Sequence, residues 1–236
     1  MGVSIDMTDR VVLITGAVGA LGSAVVEAFR ATGATVVGTD VIEIDDEDSS
    51  LTSDEVDTFI QADMTDPDGA ERVIASTVEM HDRVDALVNI AGTWMGGSPI
   101  EETEVGTFDA LFDINLKTMF LASKFALPHL QNSSGSIVSV SARSSLEGGS
   151  GDGIYRASKA GVRLLTESIA EENRGTVRAN AIMPSIIDTP MNREMMPDAD
   201  HDSWVDPGDI AEVIVWLCSE GSSVTSGAAV PVYGEA

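Results

Sequence analysis

The sequence predicts a single α/β domain, a doubly wound, seven-stranded parallel sheet with helices on both faces. Three observations predict it. Short β-branched apolar runs alternate with helical stretches along nearly all of the 236 residues. The first two runs flank a glycine-rich turn and a helix, and the second run ends on an acid. No repeat or linker-like stretch interrupts the alternation, so residues 1–236 read as one domain, long enough to bury a full core.

Each element has its own reason. Residues 11–14 are apolar and mostly β-branched, as a strand buried on both faces requires. A helix follows over 23–33, with Ala24, Val25, Ala28 and Phe29 at helical spacing and Gly33 as its stop. Residues 35–39 are a second strand with Asp40 at its tip. The acidic stretch EIDDEDSSLTSDE, ending at Glu55, is a solvated connection. Residues 56–61 form a third strand, with Asp63 just beyond it. Pro67 opens a helix that runs to about His81. Residues 84–90 form a fourth strand ending in Asn89, Ile90, Ala91 and Gly92. A polar loop with Gly96, Gly97 and Pro99 leads into a long helix over about 104–130. Strands over 136–141, 177–183 and 229–233, and helices over 155–173 and 207–219, complete the alternation.

The opening unit points to a dinucleotide. Gly16, Gly19, Leu21 and Gly22 lie between the first strand and the body of its helix. Glycines there let the backbone approach a pyrophosphate, and the helix N-terminus offers free N–H groups to the anion. A carboxylate at Asp40 accepts from ribose hydroxyls and repels a 2′-phosphate. No lysine or arginine lies near Gly16–Gly22 or just after Asp40, so NAD is expected over NADP. Tight helix–sheet packing without a ligand is the alternative.

Composition excludes several classes. The net charge is −26, from 39 acidic against 13 basic side chains. That charge argues against nucleic acid and anionic membranes as partners. No apolar run approaches the roughly 20 residues of a membrane span. Residues 1–9 are polar and lack the basic and apolar regions of a signal peptide. The single cysteine, Cys218, sits in an apolar run and fills core; a disulfide framework is excluded. The pattern nominates no metal ligands. The charge suits a cytoplasm of high salt, where counterions relieve self-repulsion; an ordinary acidic cytosolic protein is the other reading.

Thr15, Gly16 and Gly22, then Asp63, Asn89-Ile90-Ala91-Gly92, Asn115, Tyr155-x-x-x-Lys159 and the segment from Pro184 to Thr189 together resemble the short-chain dehydrogenase/reductase family over nearly the whole chain. Several stretches, DTPMNREMMPDADHDSW above all, are similar to dihydropteridine reductase. The resemblance implies a Rossmann-type fold, a nicotinamide dinucleotide cofactor, a small-molecule substrate and a homodimer or homotetramer. It implies cofactor contacts from Asp63, Asn89, Ala91, Gly92, Lys159, Pro184, Ile187 and Thr189. It also implies that Asn115 anchors a water relaying protons to Lys159.

Tyr155 and Lys159 share a face of a predicted helix. A nearby ammonium lowers a phenol's pKa, so Tyr155 is expected to act as acid and base near neutral pH. Where the family usually carries a substrate-binding serine, this chain has Ala142. Ser141 and Ser144 are the neighbouring candidates, although Ser141 should face away if its strand continues. Trp94 either stacks on a planar substrate or covers the core edge. Residues 185–206, rich in Met and Pro, are expected to form a substrate lid. The reading is an oxidoreductase moving hydride between nicotinamide and a carbonyl, alcohol or conjugated heterocycle. A pteridine-type reductase and a non-catalytic dinucleotide sensor are the alternatives.

Overall fold

In the computed structural model, residues 5–235 are described; the first four residues of the polar leader and Ala236 lie outside them. Seven strands form one sheet: β1 (Val11–Thr15), β2 (Thr35–Asp40), β3 (Thr58–Gln61), β4 (Ala86–Asn89), β5 (Ser136–Val140), β6 (Arg178–Pro184) and β7 (Ala229–Val232). Their order is β3-β2-β1-β4-β5-β6-β7, and every pairing is parallel. Every residue of β1, β4 and β5 is buried, as expected of central strands covered on both faces.

Helices cover both faces. On one face lie α1 (Ala20–Ala31) and α7 (Pro207–Cys218), with Val25, Val26 and Phe29 packed among Ile210, Ile214 and Leu217. On the other lie α2 (Pro67–His81), α4 (Thr118–Ser133) and α5 (Gly153–Glu172), which bury Val73, Ile74, Leu130, Val162 and Ile169. Prolines open α2 and α7, and the preceding Asp66 and Asp206 accept from first-turn N–H groups of Gly69 and Gly208. At the far end of α7, Arg178 donates to the carbonyls of Leu217, Cys218 and Ser219.

The departures from expectation are local. The third strand begins at Thr58, because the Asp57 carboxylate itself accepts from Val36 N–H of β2 at 2.8 Å. The fourth begins at Ala86; just before it the Asp85 carboxylate accepts from Val11 N–H and from Arg10 and Arg83, while its backbone bonds Val11 and Ser136. The long helix is three pieces, α3 (Val105–Phe112), a π-helical turn over Asp113–Lys117, and α4. Helix α5 begins at Gly153, ahead of Tyr155. Between residues 185 and 206 lies a short helix, α6 (Pro190–Met195), where the sequence showed no clear period.

Candidate active site

Strands β1 and β4 diverge into connections on opposite sides of the sheet, which opens a crevice beyond their C-terminal ends. The glycine-rich turn forms one wall. Gly16 has a φ of +71°, and a Cβ there would stand 2.7 Å from the Ala91 nitrogen. At Gly22 a Cβ would stand 2.0 Å from the Gly16 carbonyl oxygen. Both positions exclude a side chain. Gly19 is different: its φ is −73° and a Cβ would meet only ordinary contact, 3.6 Å from the same oxygen. Gly19 begins α1 without a side-chain cap, and no acid lies in the helix's first turn to compete with an anion. Leu21 is buried beneath this turn. The Thr15 hydroxyl oxygen accepts from both Ile90 N–H and Ala91 N–H, binding the turn's strand to the end of β4.

Asp40 ends β2 half-buried, its Oδ1 accepting from Val41 and Ile42 N–H at 2.7 and 3.2 Å. Asp63 is exposed and closes a turn by accepting from the Thr65 N–H and hydroxyl. Asn89 is buried; its amide donates to Ser123 and Ser139 and its Oδ1 finds no partner among the described residues.

Lys159, Asn115 and Gly92 come together, with Tyr155 one turn earlier on α5. The Lys159 ammonium is buried and donates to the Val140 carbonyl at 3.0 Å. A Cβ on Gly92 would fall 2.8 Å from that ammonium nitrogen and 3.0 Å from Asn115 Oδ1, so the bare glycine lets both groups reach the crevice wall. Asn115 lies inside the π-helical turn, a distortion frequent at functional sites. Its side chain accepts from Thr93 N–H at 2.7 Å and donates to the Thr93 carbonyl and to Ser158 Oγ. The side chain therefore fixes the loop after Gly92, and Ser158 in turn donates to the Tyr155 carbonyl.

The expected lowering of the Tyr155 pKa is not what the surroundings produce. Burial pushes the phenol up to about 12; the Asp152 carboxylate adds to the rise and the Arg156 guanidinium opposes it. Burial pushes the Lys159 ammonium down to about 8. Tyr155 therefore keeps its proton across the neutral range.

The serines sort differently from expectation. Strand β5 stops at Val140, and Ser141 is buried with its hydroxyl donating to the Lys159 carbonyl at 2.8 Å. That bond ties the Ser141 hydroxyl to α5. Ser144 is half-buried in a 3-10 turn over Arg143–Leu146, its carbonyl accepting from Arg156. The sequence reading passed over Ser145, which is buried in the same turn with a hydroxyl lacking any partner among the described residues. Only its place beside Ala142 pointed to it.

Trp94 is 47% exposed, and its ring edge lies where a Cβ on Gly96 would be. Beyond Pro184, Ser185 is tied to β7 through Val232 and Tyr233. Ile187 bridges Val205, Asn192 donates to the Ile187 carbonyl, and the Thr189 hydroxyl caps α6 by accepting from Asn192 N–H. Met191 and Met195 are exposed rather than packed. A hollow of about 170 Å³ lies between residues 95–98, the start of α3 and the first turn of α5. The larger hollow, about 710 Å³, lies at the opposite end of the sheet among the starts of β4, β5 and β6, away from these groups.

Comparison with known proteins agrees with this geometry. The short chain dehydrogenase family model matches residues 10–200. The chain is 32% identical to the 3-oxoacyl-(acyl-carrier-protein) reductase FabG of Thermotoga maritima, over 95% of this chain and 96% of that protein. It is 32% identical to meso-2,3-butanediol dehydrogenase of Serratia marcescens, over 97% and 94%. Among solved structures, a short-chain dehydrogenase/reductase of Brucella melitensis, titled glucose/ribitol dehydrogenase, superposes with a TM-score of 0.88, at 31% identity and 98% coverage of both chains. The chain belongs to the short-chain dehydrogenase/reductase family. It is an oxidoreductase of that type, and the family's enzymes use nicotinamide dinucleotides.

Proposed function

We propose that this protein reduces a small carbonyl compound with NADH, and runs the reverse oxidation, with Tyr155 as the proton donor and acceptor. The observation that carries the reading is the convergence of Lys159 and Asn115 on the bare backbone of Gly92, with Tyr155 one turn earlier on the same helix. The Gly16–Gly22 cradle fits a dinucleotide pyrophosphate, since its closest approaches exclude any Cβ. Asp40, Asp63, Asn89, Ala91, Gly92, Pro184, Ile187 and Thr189 would line the remainder of that molecule. The nicotinamide, when bound, supplies or takes up the hydride. Tyr155 passes its proton to the carbonyl oxygen, and the charged Lys159 stabilises the phenolate left behind. Steady consumption of NADH with short ketones or hydroxyketones tests the reading against a non-catalytic sensor; no turnover with any of them would sink it. A pteridine-type reductase is a second enzyme reading, supported by Ala142, while Asn115 follows the general family pattern.

Cofactor choice rests on Asp40. No lysine or arginine occurs in residues 11–29 or 41–71 to pair with a 2′-phosphate. The expected result is a kcat/KM for NADH at least roughly tenfold above that for NADPH, narrowed in Asp40→Ala. Equal or better use of NADPH by the unaltered protein would overturn it.

The pH profile follows from the two shifts. Reduction needs the proton on Tyr155, which is held up to about 12, and the charge on Lys159, which is lost as pH rises through about 8. Reductive kcat/KM should be level below pH 8 and fall about tenfold per unit above it. A profile still level at about pH 10 would remove Lys159 from the mechanism.

The surface supports a high-salt setting. Among the described residues Asp85 is the one acidic side chain in the buried class, so nearly the whole negative charge faces solvent. Its repulsion spans about 30 Å at 0.01 M salt and about 3 Å at 1 M. The melting temperature should rise between about 0.1 and 2 M potassium chloride; a flat or falling trend counts against salt adaptation.

A further inference from the structure

Between the end of β5 and Tyr155 runs a stretch that cannot hold a shape by itself. Residues 147–153 read EGGSGDG, four glycines in seven, and residues 147–150 are exposed. Glycine loses more backbone freedom on ordering than any other residue. Two devices fix the stretch. The Gly97 N–H, from the loop after β4, donates to the Gly151 carbonyl at 2.7 Å. Arg156, the residue after Tyr155, supplies the rest. Its Nε donates to Asp152 Oδ1 at 2.7 Å, and one terminal nitrogen reaches both the Ser144 and the Glu147 carbonyls at 3.4 Å. The Gly149 backbone lies against the guanidinium: a Cβ there would collide with its Nε, its Cζ and its second terminal nitrogen. One side chain thus gathers residues 144, 147, 149 and 152. It does so largely out of water, with Arg156 and Asp152 only 22% and 18% exposed.

The stretch borders the reacting groups. It starts after Ala142, where the family usually carries a substrate-binding serine, and ends in the first turn of α5, which carries Tyr155. Gly97 ties it to the loop whose Thr93 is held by Asn115. Resting on the reading of Tyr155 as proton donor, we propose that Arg156 is a positioning residue that holds residues 144–152 as a preformed substrate wall. Residue 142 offers no hydroxyl to a carbonyl compound, so the shape of this wall carries more of its placement. The fork of the guanidinium is required, because its nitrogens reach different groups where a lysine offers one point of charge. Without the fork, ordering the glycines falls to the arriving substrate, and KM rises. Once substrate is seated, Tyr155 and Lys159 act as before, and kcat is spared. The Arg156 charge also opposes the rise of the Tyr155 pKa, but the phenol keeps its proton at pH 7 without that help.

The test sets Arg156→Lys, Arg156→Ala and Gly149→Ala beside the parent, with 1-hydroxypropan-2-one and saturating NADH at pH 7. Gly149→Ala keeps the arginine and pushes its guanidinium aside. In all three, KM for the hydroxyketone should rise at least about fivefold while kcat stays within about twofold. Melting temperatures should stay within about 2 °C of the parent. Amide exchange read by mass spectrometry should quicken over residues 145–153 and stay level elsewhere. An unmoved KM in Arg156→Ala, or kcat and melting temperature falling together, would refute the positioning role. So would parent-like behaviour of Arg156→Lys, which would make charge and not the fork the operative property. If the parent turns over no ketone, the proton-donor reading fails, and two measurements still decide the wall. Faster exchange in the variants, with weaker hydroxyketone binding by ligand-observed NMR, sustains it; unchanged exchange ends it.

Discussion

Tyr155→Phe should keep the fold and lose turnover by a factor on the order of 10²–10⁴, the contribution expected of a positioned general acid. The substitution removes one oxygen. The ties that hold this turn of α5 run elsewhere: Ser158 to the Tyr155 carbonyl, Arg156 to Asp152, and Ser141 to the Lys159 carbonyl. Thermal unfolding followed by circular dichroism should therefore match the parent, and NADH should still bind. Near-normal rates in the variant would mean that another group gives the proton. Ser144→Ala should cost far less, since no bond of its hydroxyl appears among those that shape the site.

Gly22→Ala should be the most disruptive single methyl in the protein, while Gly19→Ala is mild. A Cβ at Gly22 would lie 2.0 Å from the Gly16 oxygen and 2.8 Å from the Ala17 backbone, all main-chain atoms with no rotamer to yield. Relief requires α1 to lift from the turn, and α1 packs along α7 through Val25, Val26 and Phe29. Overpacking of this kind costs about 3 kcal/mol or more, which lowers the melting temperature by roughly 6–12 °C in a domain of this size, and cofactor affinity should fall with it. At Gly19 the φ suits any residue and the nearest atom is 3.6 Å away, so a loss of about 1 kcal/mol is expected. Equal melting temperatures for the two variants would show that the turn adapts.

The contrast shows what was legible in the sequence. Strand–helix alternation and the glycine turn follow from periodicity and spacing, and the structure has them; the Tyr155–Lys159 pair came from the family resemblance, and both residues lie on α5. Sequence could not rank Gly19 against Gly22, because the difference lies in which backbone atoms face each Cα. Nor could it show the π-helical turn at Asn115, where the hydrogen-bond ladder shifts by one residue inside an otherwise helical stretch. The upward shift at Tyr155 comes first from burial, which spacing along the chain does not report. The bond from Ser141 to Lys159 depended on where β5 stops, and strand ends are set by groups such as the Asp57 carboxylate, which takes a ladder donor.

The sheet order also dictates how the chain must fold. β1 pairs on one side with β2, a near neighbour in sequence, and on the other with β4, which begins only at Ala86. Until β4 arrives, β1 has an open edge of unpaired, apolar backbone, the kind of surface on which chains join one another. Parallel pairings of this separation form slowly. During that interval the growing chain has already displayed the acidic connection EIDDEDSS between β2 and β3. Like charge on every copy holds those exposed edges apart. Acidity expected to destabilise the finished molecule in dilute salt would thus also keep copies apart while the sheet is half built.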